Sequence, residues 1–199
     1  MQLDNKDKLN SEYWQNRYLE SKTGWDIGYI TTPIKEYFDQ LENKSIKILV
    51  PGAGNAYEIE YLHKNNFNNI FLLDFAEQAI SNFKKRVPAF PVKQIINEDF
   101  FNHKGKYDLI VELAFFSSLK PNYRENYVTK MFELLKPKAK LIGLLFNHEF
   151  GNNHPPFGGT KKEYQKLFTD KFNINIMEIA YNSIKPRSGR ELFINLERK

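Results

Sequence analysis

Two β-patterned runs close the chain, NINIMEIAYNSI over 173–184 and ELFINLE over 191–197, with only KPRSGR between them as a clear break. A parallel neighbour needs a crossover of about a dozen residues or more, so this pair must be an antiparallel hairpin. Upstream, strand-like and helix-like segments alternate. IKILV (46–50), NIFLLDF (69–75, ending in effect at Asp74), KQIIN (93–97), YDLIVEL (107–113) and KLIGLLF (140–146) read as strands. Helices are expected between them. TTPIKEYFDQL has Thr32 as N-cap and Pro33 at the first helical position. AYEIEYLHK follows a glycine turn, and Ala76, Ile80, Phe83 and Val87 recur at helical spacing. NYRENYVTKMFELL puts Tyr127, Met131, Leu134 and Leu135 on one face and is closed by Lys136-Pro137. TKKEYQKLF opens with a capping box from Thr160 to Glu163.

Alternating units of this kind imply a parallel sheet with helices on both faces, into which the closing hairpin inserts one reversed strand. The expected fold class is α/β: a Rossmann-like, seven-stranded class I methyltransferase fold, mostly parallel, with a C-terminal antiparallel hairpin strand. The 199 residues suit a single domain over 1–199 and leave no length for a separate dehydrogenase catalytic domain.

The first strand runs into PGAGNA, and glycines there let a ligand approach the backbone at the carboxyl edge of the sheet. A dinucleotide fingerprint requires G-x-G-x-x-G. Gly52 and Gly54 are present, but position 57 is tyrosine. The S-adenosylmethionine variant prefers a third small residue two after the second glycine, which is Ala56. Asp74 ends the second strand twenty residues after Gly54, where a carboxylate can accept both ribose hydroxyls; capping of the helix that begins near Ala76 is compatible with that role. Asp99 and Phe100 follow the third strand, in position to meet the adenine amino group and ring. The three elements in this order favour S-adenosylmethionine, with S-adenosylhomocysteine as product, over NAD.

There is no cysteine, which removes disulfides, thiolate metal sites and cysteine nucleophiles. Net charge is +5, yet lysines are scattered among acids, and only 83–86 and 159–163 cluster. No nucleic-acid partner is expected on that basis. A polar N-terminus and the lack of a long apolar run lead to the expectation of a cytoplasmic protein with no membrane partner, monomeric by default. His148 and His154 lie in a Gly/Pro-rich stretch and read as loop residues at an acceptor pocket, so no metal is expected.

EYWQNRYLESKTGWDIG (12–28), YDLIVELAFFSSLKPNYR (107–124) and HPPFGG (154–159) together resemble the thiopurine S-methyltransferase family, which includes halide and thiol methyltransferases. The resemblance runs from about Trp14 to the C-terminus. It implies an N-terminal helical lid region over 1–44 above a Rossmann-like core over 45–199. Trp14, Tyr18 and Trp25 would form the lid, Gly52 and Asp74 would hold the methionine and ribose parts of the cofactor, and Asp99 with Phe100 the adenine. Leu113 would add a further cofactor contact. The family's frequent cysteines are Ala53 and Ser117 here. The implied acceptor is a small molecule: a thiol, a thiopurine, bisulfide or a halide such as iodide.

Methyl transfer from a sulfonium to such a nucleophile is an in-line displacement that needs alignment and desolvation more than acid–base help. Trp14, Trp25, Phe115 and Phe116 are the expected walls, although helix docking and core packing explain the same aromatics. His154 is expected in the acceptor pocket. No catalytic residue is assigned with certainty. Arg187 is the candidate cation for a thiolate acceptor, ahead of Arg190, which reads as a solvated hairpin tip, and Arg124, a solvated helix start. Two rival readings remain. HPPF is similar to the Pro-Pro-aromatic loop of nucleic-acid N-methyltransferases but follows the wrong strand. An NAD-type binding module or small dehydrogenase is opposed by Tyr57 and the terminal hairpin.

Overall fold

Ile48, Leu49 and Val50 are all buried, as a strand covered on both faces requires. The computed structural model describes residues 9–151 and 153–199. These residues open β1 (Ile48–Pro51), at the centre of a seven-stranded sheet with β2 (Ile70–Asp74), β3 (Ile95–Asn97), β4 (Tyr107–Leu113), β5 (Leu135–Phe146), β6 (Phe172–Ile179) and β7 (Glu191–Arg198). The order is β3-β2-β1-β4-β5-β7-β6. β1 through β5 pair in parallel, while β7 runs antiparallel to both β5 and β6. The seven-stranded α/β fold with one reversed strand is therefore the observed one.

Among the described residues seven α-helices accompany the strands: α1 (Ser11–Leu19), α2 (Thr32–Asp39), α3 (Tyr57–Lys64), α4 (Glu77–Arg86), the single turn α5 (Phe115–Ser118), α6 (Arg124–Leu134) and α7 (Lys161–Phe168). Side chains alternate across the sheet and divide the apolar interior in two. Ile48, Val50, Leu109, Val111, Ile142 and Leu144 join α2, α3 and α4 on one face. Leu49, Ile110, Leu141 and Leu145 join α5, α6 and α7 on the other. α2 carries Ile34 and Phe38 into the first of these cores, so it is part of the body of the fold. Residues 1–8 of the expected lid lie outside the described residues; among those described, α1 and the loop that follows it overlie the sheet edge described below.

Several boundaries differ from expectation. The N-cap of α2 is Thr31, and Thr32 is already helical. α6 stops at Leu134, and β5 begins at once rather than at Lys140. The fully buried Leu135 pairs with Tyr107, after which the register shifts so that Leu109 meets Lys140. Lys136, Pro137 and Lys138 form the exposed arm of this irregularity, where a proline without an N–H is tolerated. Lys136-Pro137 thus lies within a strand instead of closing a helix. β6 ends at Ile179, short of Ile184, because Asn182 and Ser183 turn away to bond Glu36 and Glu191. The capping box of α7 forms as expected: Thr160 accepts from the Glu163 N–H, and Glu163 accepts from the Thr160 N–H. No helix among the described residues is long and apolar enough to cross a membrane.

Candidate active site

A cavity of about 390 Å³ opens at the carboxyl ends of the strands. This is the edge where open α/β sheets bind ligands. One half of its wall comes from the loop after β1, from Asp74 and Phe75 at the end of β2, and from α1 with the loop to Thr31. The other half comes from Leu113 at the end of β4, Ala114, Phe115, Ser117 and Ser118 just after it, Phe146 at the end of β5, the loop containing Phe150, Pro155 and Pro156, and the β6–β7 turn.

The loop after β1 alternates into left-handed backbone at Gly52 (φ +57°), Gly54 (φ +55°) and Ala56 (φ +56°). The two glycines make room for side chains of the protein itself. A Cβ on Gly52 would lie 2.3 Å from Cδ2 of Phe115, and one on Gly54 would lie 2.6 Å from the Tyr18 hydroxyl. Phe115 and Tyr18 therefore rest on the loop from opposite halves of the cavity. Gly52→Ala is expected to destabilise the fold by about 2 kcal/mol or more, since it combines left-handed strain with a clash in the wall. Chemical denaturation measures this; an unchanged midpoint would mean that Phe115 moves aside freely.

Asp74 holds the loop from below. It is 7% exposed, with Oδ2 accepting the Gly54 N–H and Oδ1 the Ala76 N–H, each at 2.8 Å. Burial raises its pKa, and the backbone N–H groups oppose that rise by stabilising the charge. The same carboxylate braces the loop and the backbone just ahead of α4, and it lines the cavity.

Above the loop, α1 starts at an N-cap made by Asn10, whose side chain accepts the Tyr13 N–H. Trp14, Arg17 and Tyr18 line the cavity at the i, i+3, i+4 spacing of one helix face. Trp25 packs edge-to-face on Trp14 (centroids 5.4 Å apart) and on Tyr18 (5.7 Å). Burial drives the Tyr18 phenol pKa upward, so it stays protonated. Four attachments hold this segment down. Ser11 Oγ donates to the Phe75 carbonyl, and the Gln78 N–H donates to Gln15 Oε1. Asn55 donates to Asp26, and Arg187 Nη2 donates to the Trp25 carbonyl at 2.6 Å.

Arg187 is only 12% exposed, and its Nη1 pairs with the buried Glu191 at 3.2 Å. The guanidinium lies over Phe146. Its charge is thus matched within the protein, which makes it a strut between the hairpin and the Trp25 loop. Arg190 reaches the cavity too and donates to His148 Nε2 at 2.9 Å. Glu58, near the start of α3, lines the cavity close to the Thr31 N–H (3.4 Å), and burial pushes its pKa up to about 7.

Trp14, Tyr18, Trp25, Gly52, Gly54, Asp74, Leu113, Phe115 and Arg187, all singled out from sequence, meet in this one cavity. Asp99, Phe100, Phe116 and His154 do not line it. Asp99 is exposed and accepts the Phe101 N–H at 2.7 Å, forming a local turn. Phe100 is core, its ring 5.0 Å from that of Phe115. Phe116 is 1% exposed among Tyr127, Tyr164 and Phe168. His154 bonds the neighbouring Pro155 carbonyl through Nδ1 and leaves the wall to Pro155 and Pro156. Arg124 also sits elsewhere, over Phe116, donating to the Gly158 carbonyl at 2.6 Å. Arg17, Asp26, Asn55 and Glu58 are wall residues that the sequence reading passed over. For Arg17 a signal existed, since it shares a helix face with Trp14 and Tyr18. Among the described residues, no group of three or more His, Cys, Asp or Glu is placed to hold a metal ion.

The cavity suits S-adenosylmethionine. It pairs a braced glycine loop and a buried carboxylate with aromatic faces, and Arg17 Nε is buried in its wall with no hydrogen-bond partner. Comparison with known proteins agrees. The model of the thiopurine S-methyltransferase family matches residues 9–196. A probable thiol methyltransferase 2 from Arabidopsis thaliana is 27% identical over 185 residues, covering 89% of this chain and 81% of that protein. A thiopurine S-methyltransferase from Photobacterium profundum is 22% identical, covering 85% and 86%. Among solved structures, a Burkholderia thailandensis 1,6-didemethyltoxoflavin-N1-methyltransferase with bound S-adenosylhomocysteine superposes with a TM-score of 0.78 at 13% identity, covering 95% of this chain and 87% of that one. A TehB-like S-adenosylmethionine-dependent methyltransferase from Corynebacterium glutamicum gives 0.67 at 16% identity, covering 95% and 98%.

Proposed function

Because the chain belongs to the thiopurine S-methyltransferase family, it is an S-adenosylmethionine-dependent S-methyltransferase, and we propose that its acceptor is a small, soft nucleophile: a thiol, a thiopurine, bisulfide or a halide. One observation carries this reading. A single cavity joins the glycine loop and Asp74 to a second half walled by Phe115, Phe146, Phe150, Pro155 and Pro156, with Arg190 at that side. Apolar walls strip water from an incoming thiolate or halide, and a nearby guanidinium favours the anion over the neutral thiol.

S-adenosylmethionine supplies an electrophilic methyl group on a positively charged sulfur. In our assignment Asp74 accepts ribose hydroxyls while the Gly54 and Ala76 N–H groups hold its orientation. Leu113 adds an apolar contact at the end of β4. Trp14, Tyr18 and Trp25 form the lid, excluding water and offering π faces to the sulfonium. Phe115, seated on Gly52, forms the partition between donor and acceptor. Arg187 acts through Trp25, which it holds by the backbone carbonyl. A free thiol has a pKa of about 8.5, so a fraction already arrives as thiolate, and no side chain is assigned as general base. The absence of cysteine supports a cytoplasmic setting, with a monomer as the working unit.

The test is S-adenosylhomocysteine formation by purified protein offered iodide, bisulfide, an aromatic thiol and a thiopurine separately. Turnover of the aromatic thiol or thiopurine is expected if the second half of the cavity admits a ring. Turnover of iodide or bisulfide alone would restrict the acceptor to small anions. Silence with all four, while S-adenosylhomocysteine still binds, would overturn the acceptor assignment.

A further inference from the structure

Three arginines reach the cavity, and two of them have their partners in the protein: Arg187 bonds Glu191 and the Trp25 carbonyl, and Arg190 bonds His148. Arg17 is different. Its Nε is buried without a hydrogen-bond partner, and its guanidinium carbon lies 5.7 Å from the centroid of the Trp25 ring. A buried donor on a charged group is costly to leave unmatched, and an acceptor entering the cavity would supply Arg17 with the partner that the protein does not.

The place of Arg17 limits what that acceptor is. It shares a helix face with Tyr18, whose hydroxyl rests on Gly54, so Arg17 overhangs the glycine-loop half of the cavity. Arg187 reaches this half through the Trp25 carbonyl with its charge already matched by Glu191, and the other charged side chains that line it are Asp26, Glu58 and Asp74, all acids. They suit hydroxyl and ammonium donors and repel a carboxylate. S-adenosylmethionine carries one anionic group, the α-carboxylate of its amino-acid tail. A planar guanidinium matches a carboxylate by two parallel N–H···O bonds.

We propose that Arg17 is the receptor for the cofactor's α-carboxylate, so that the lid helix recognises the amino-acid tail directly. Trp25, whose ring lies beneath the guanidinium carbon, limits where the fork can sit. α1 then serves both as cover and as a specificity element. It distinguishes S-adenosylmethionine and S-adenosylhomocysteine from adenosine derivatives that lack the tail.

The experiment is calorimetric titration of the full-length protein with S-adenosylhomocysteine and with 5′-methylthioadenosine, which keeps the nucleoside and thioether but has no amino-acid tail. Arg17→Met is expected to weaken S-adenosylhomocysteine binding about tenfold or more, the range of one charge-assisted pair. Binding of 5′-methylthioadenosine is expected to stay within about twofold, which also shows that the variant is folded. Arg17→Lys keeps the charge without the fork and should fall between. Equal weakening of both ligands would mean that Arg17 only packs the lid, and unchanged binding of both would mean that the carboxylate lies elsewhere; either result overturns the proposal. Failure of the wild-type protein to bind either ligand would instead overturn the cofactor assignment and this inference with it.

Discussion

Asp74→Ala is expected to abolish useful cofactor binding, with S-adenosylhomocysteine affinity falling about a hundredfold or more, equivalent to about 2.7 kcal/mol. Two losses combine. The ribose acceptor disappears, and the Gly54 and Ala76 N–H groups that bonded the carboxylate are left buried without partners. Each such donor costs about 1–3 kcal/mol, so the fold itself should lose about 2–4 kcal/mol in urea denaturation. Asp74→Asn separates the two roles. Its single carbonyl oxygen can brace one N–H, so about half of the lost stability should return while affinity stays low. Thermal shift at saturating S-adenosylhomocysteine gives an independent reading, since a ligand that binds only the native state raises apparent stability. Affinity unchanged in Asp74→Asn would reduce the residue to a loop brace.

Glu112→Ala is expected to cost about 3 kcal/mol or more. Glu112 is fully buried on β4, accepts the Phe116 N–H at 2.8 Å, and takes the Tyr127 hydroxyl on its other oxygen. It anchors the turn α5 that places Phe115 on Gly52, so its loss should also loosen the partition of the site. Burial pushes its pKa from the ordinary 4.5 up to about 7. The folded state therefore holds this proton more tightly than the unfolded chain does. Its contribution to stability is greatest below about pH 4.5, falls through the interval up to about 7, and is level above that. Glu112→Gln removes the titration. Measured by urea denaturation, the Gln variant should gain on the wild type by about 2–3 kcal/mol between pH 5 and pH 8. A constant difference across that range would show that the carboxyl is not perturbed by its surroundings.

The order of strands and helices was readable because each central strand is a short apolar run bounded by turn residues, as in IKILV and YDLIVEL. The reversed strand followed from the shortness of the closing connection. The start of β5 was hidden because Lys136, Pro137 and Lys138 are exposed, and no apolar pattern marks a polar arm of a strand. At the site, residues fixed by loop geometry were identifiable: Gly52, Gly54 and Asp74 lie at matched spacing on consecutive βα units. Adjacent aromatics were not separable. Phe115 and Phe116 sit on one helical turn about 100° apart, which sends the first to the cavity and the second to the core. Asp99 and Phe100 were chosen by order along the chain, which does not encode how far a loop reaches. Glu58 carries no mark in the sequence, because charged residues on short helices ordinarily face water, whereas Arg17 is marked by the helix face it shares with Trp14 and Tyr18.

The alternation of buried side chains along the central strands has a consequence for how the molecule comes apart. Ile48 and Val50 serve one apolar layer and Leu49 the other, and Ile142 and Leu141 are divided in the same way. Neither layer can melt while its neighbour persists, because the backbone that would be released is the backbone the other requires. Cooperativity is thus built in at the level of single residues, and the loss of structure should be all-or-none across the sheet. A slip of β1 by one residue would exchange the two sets of side chains, so the pairing is protected by both layers at once.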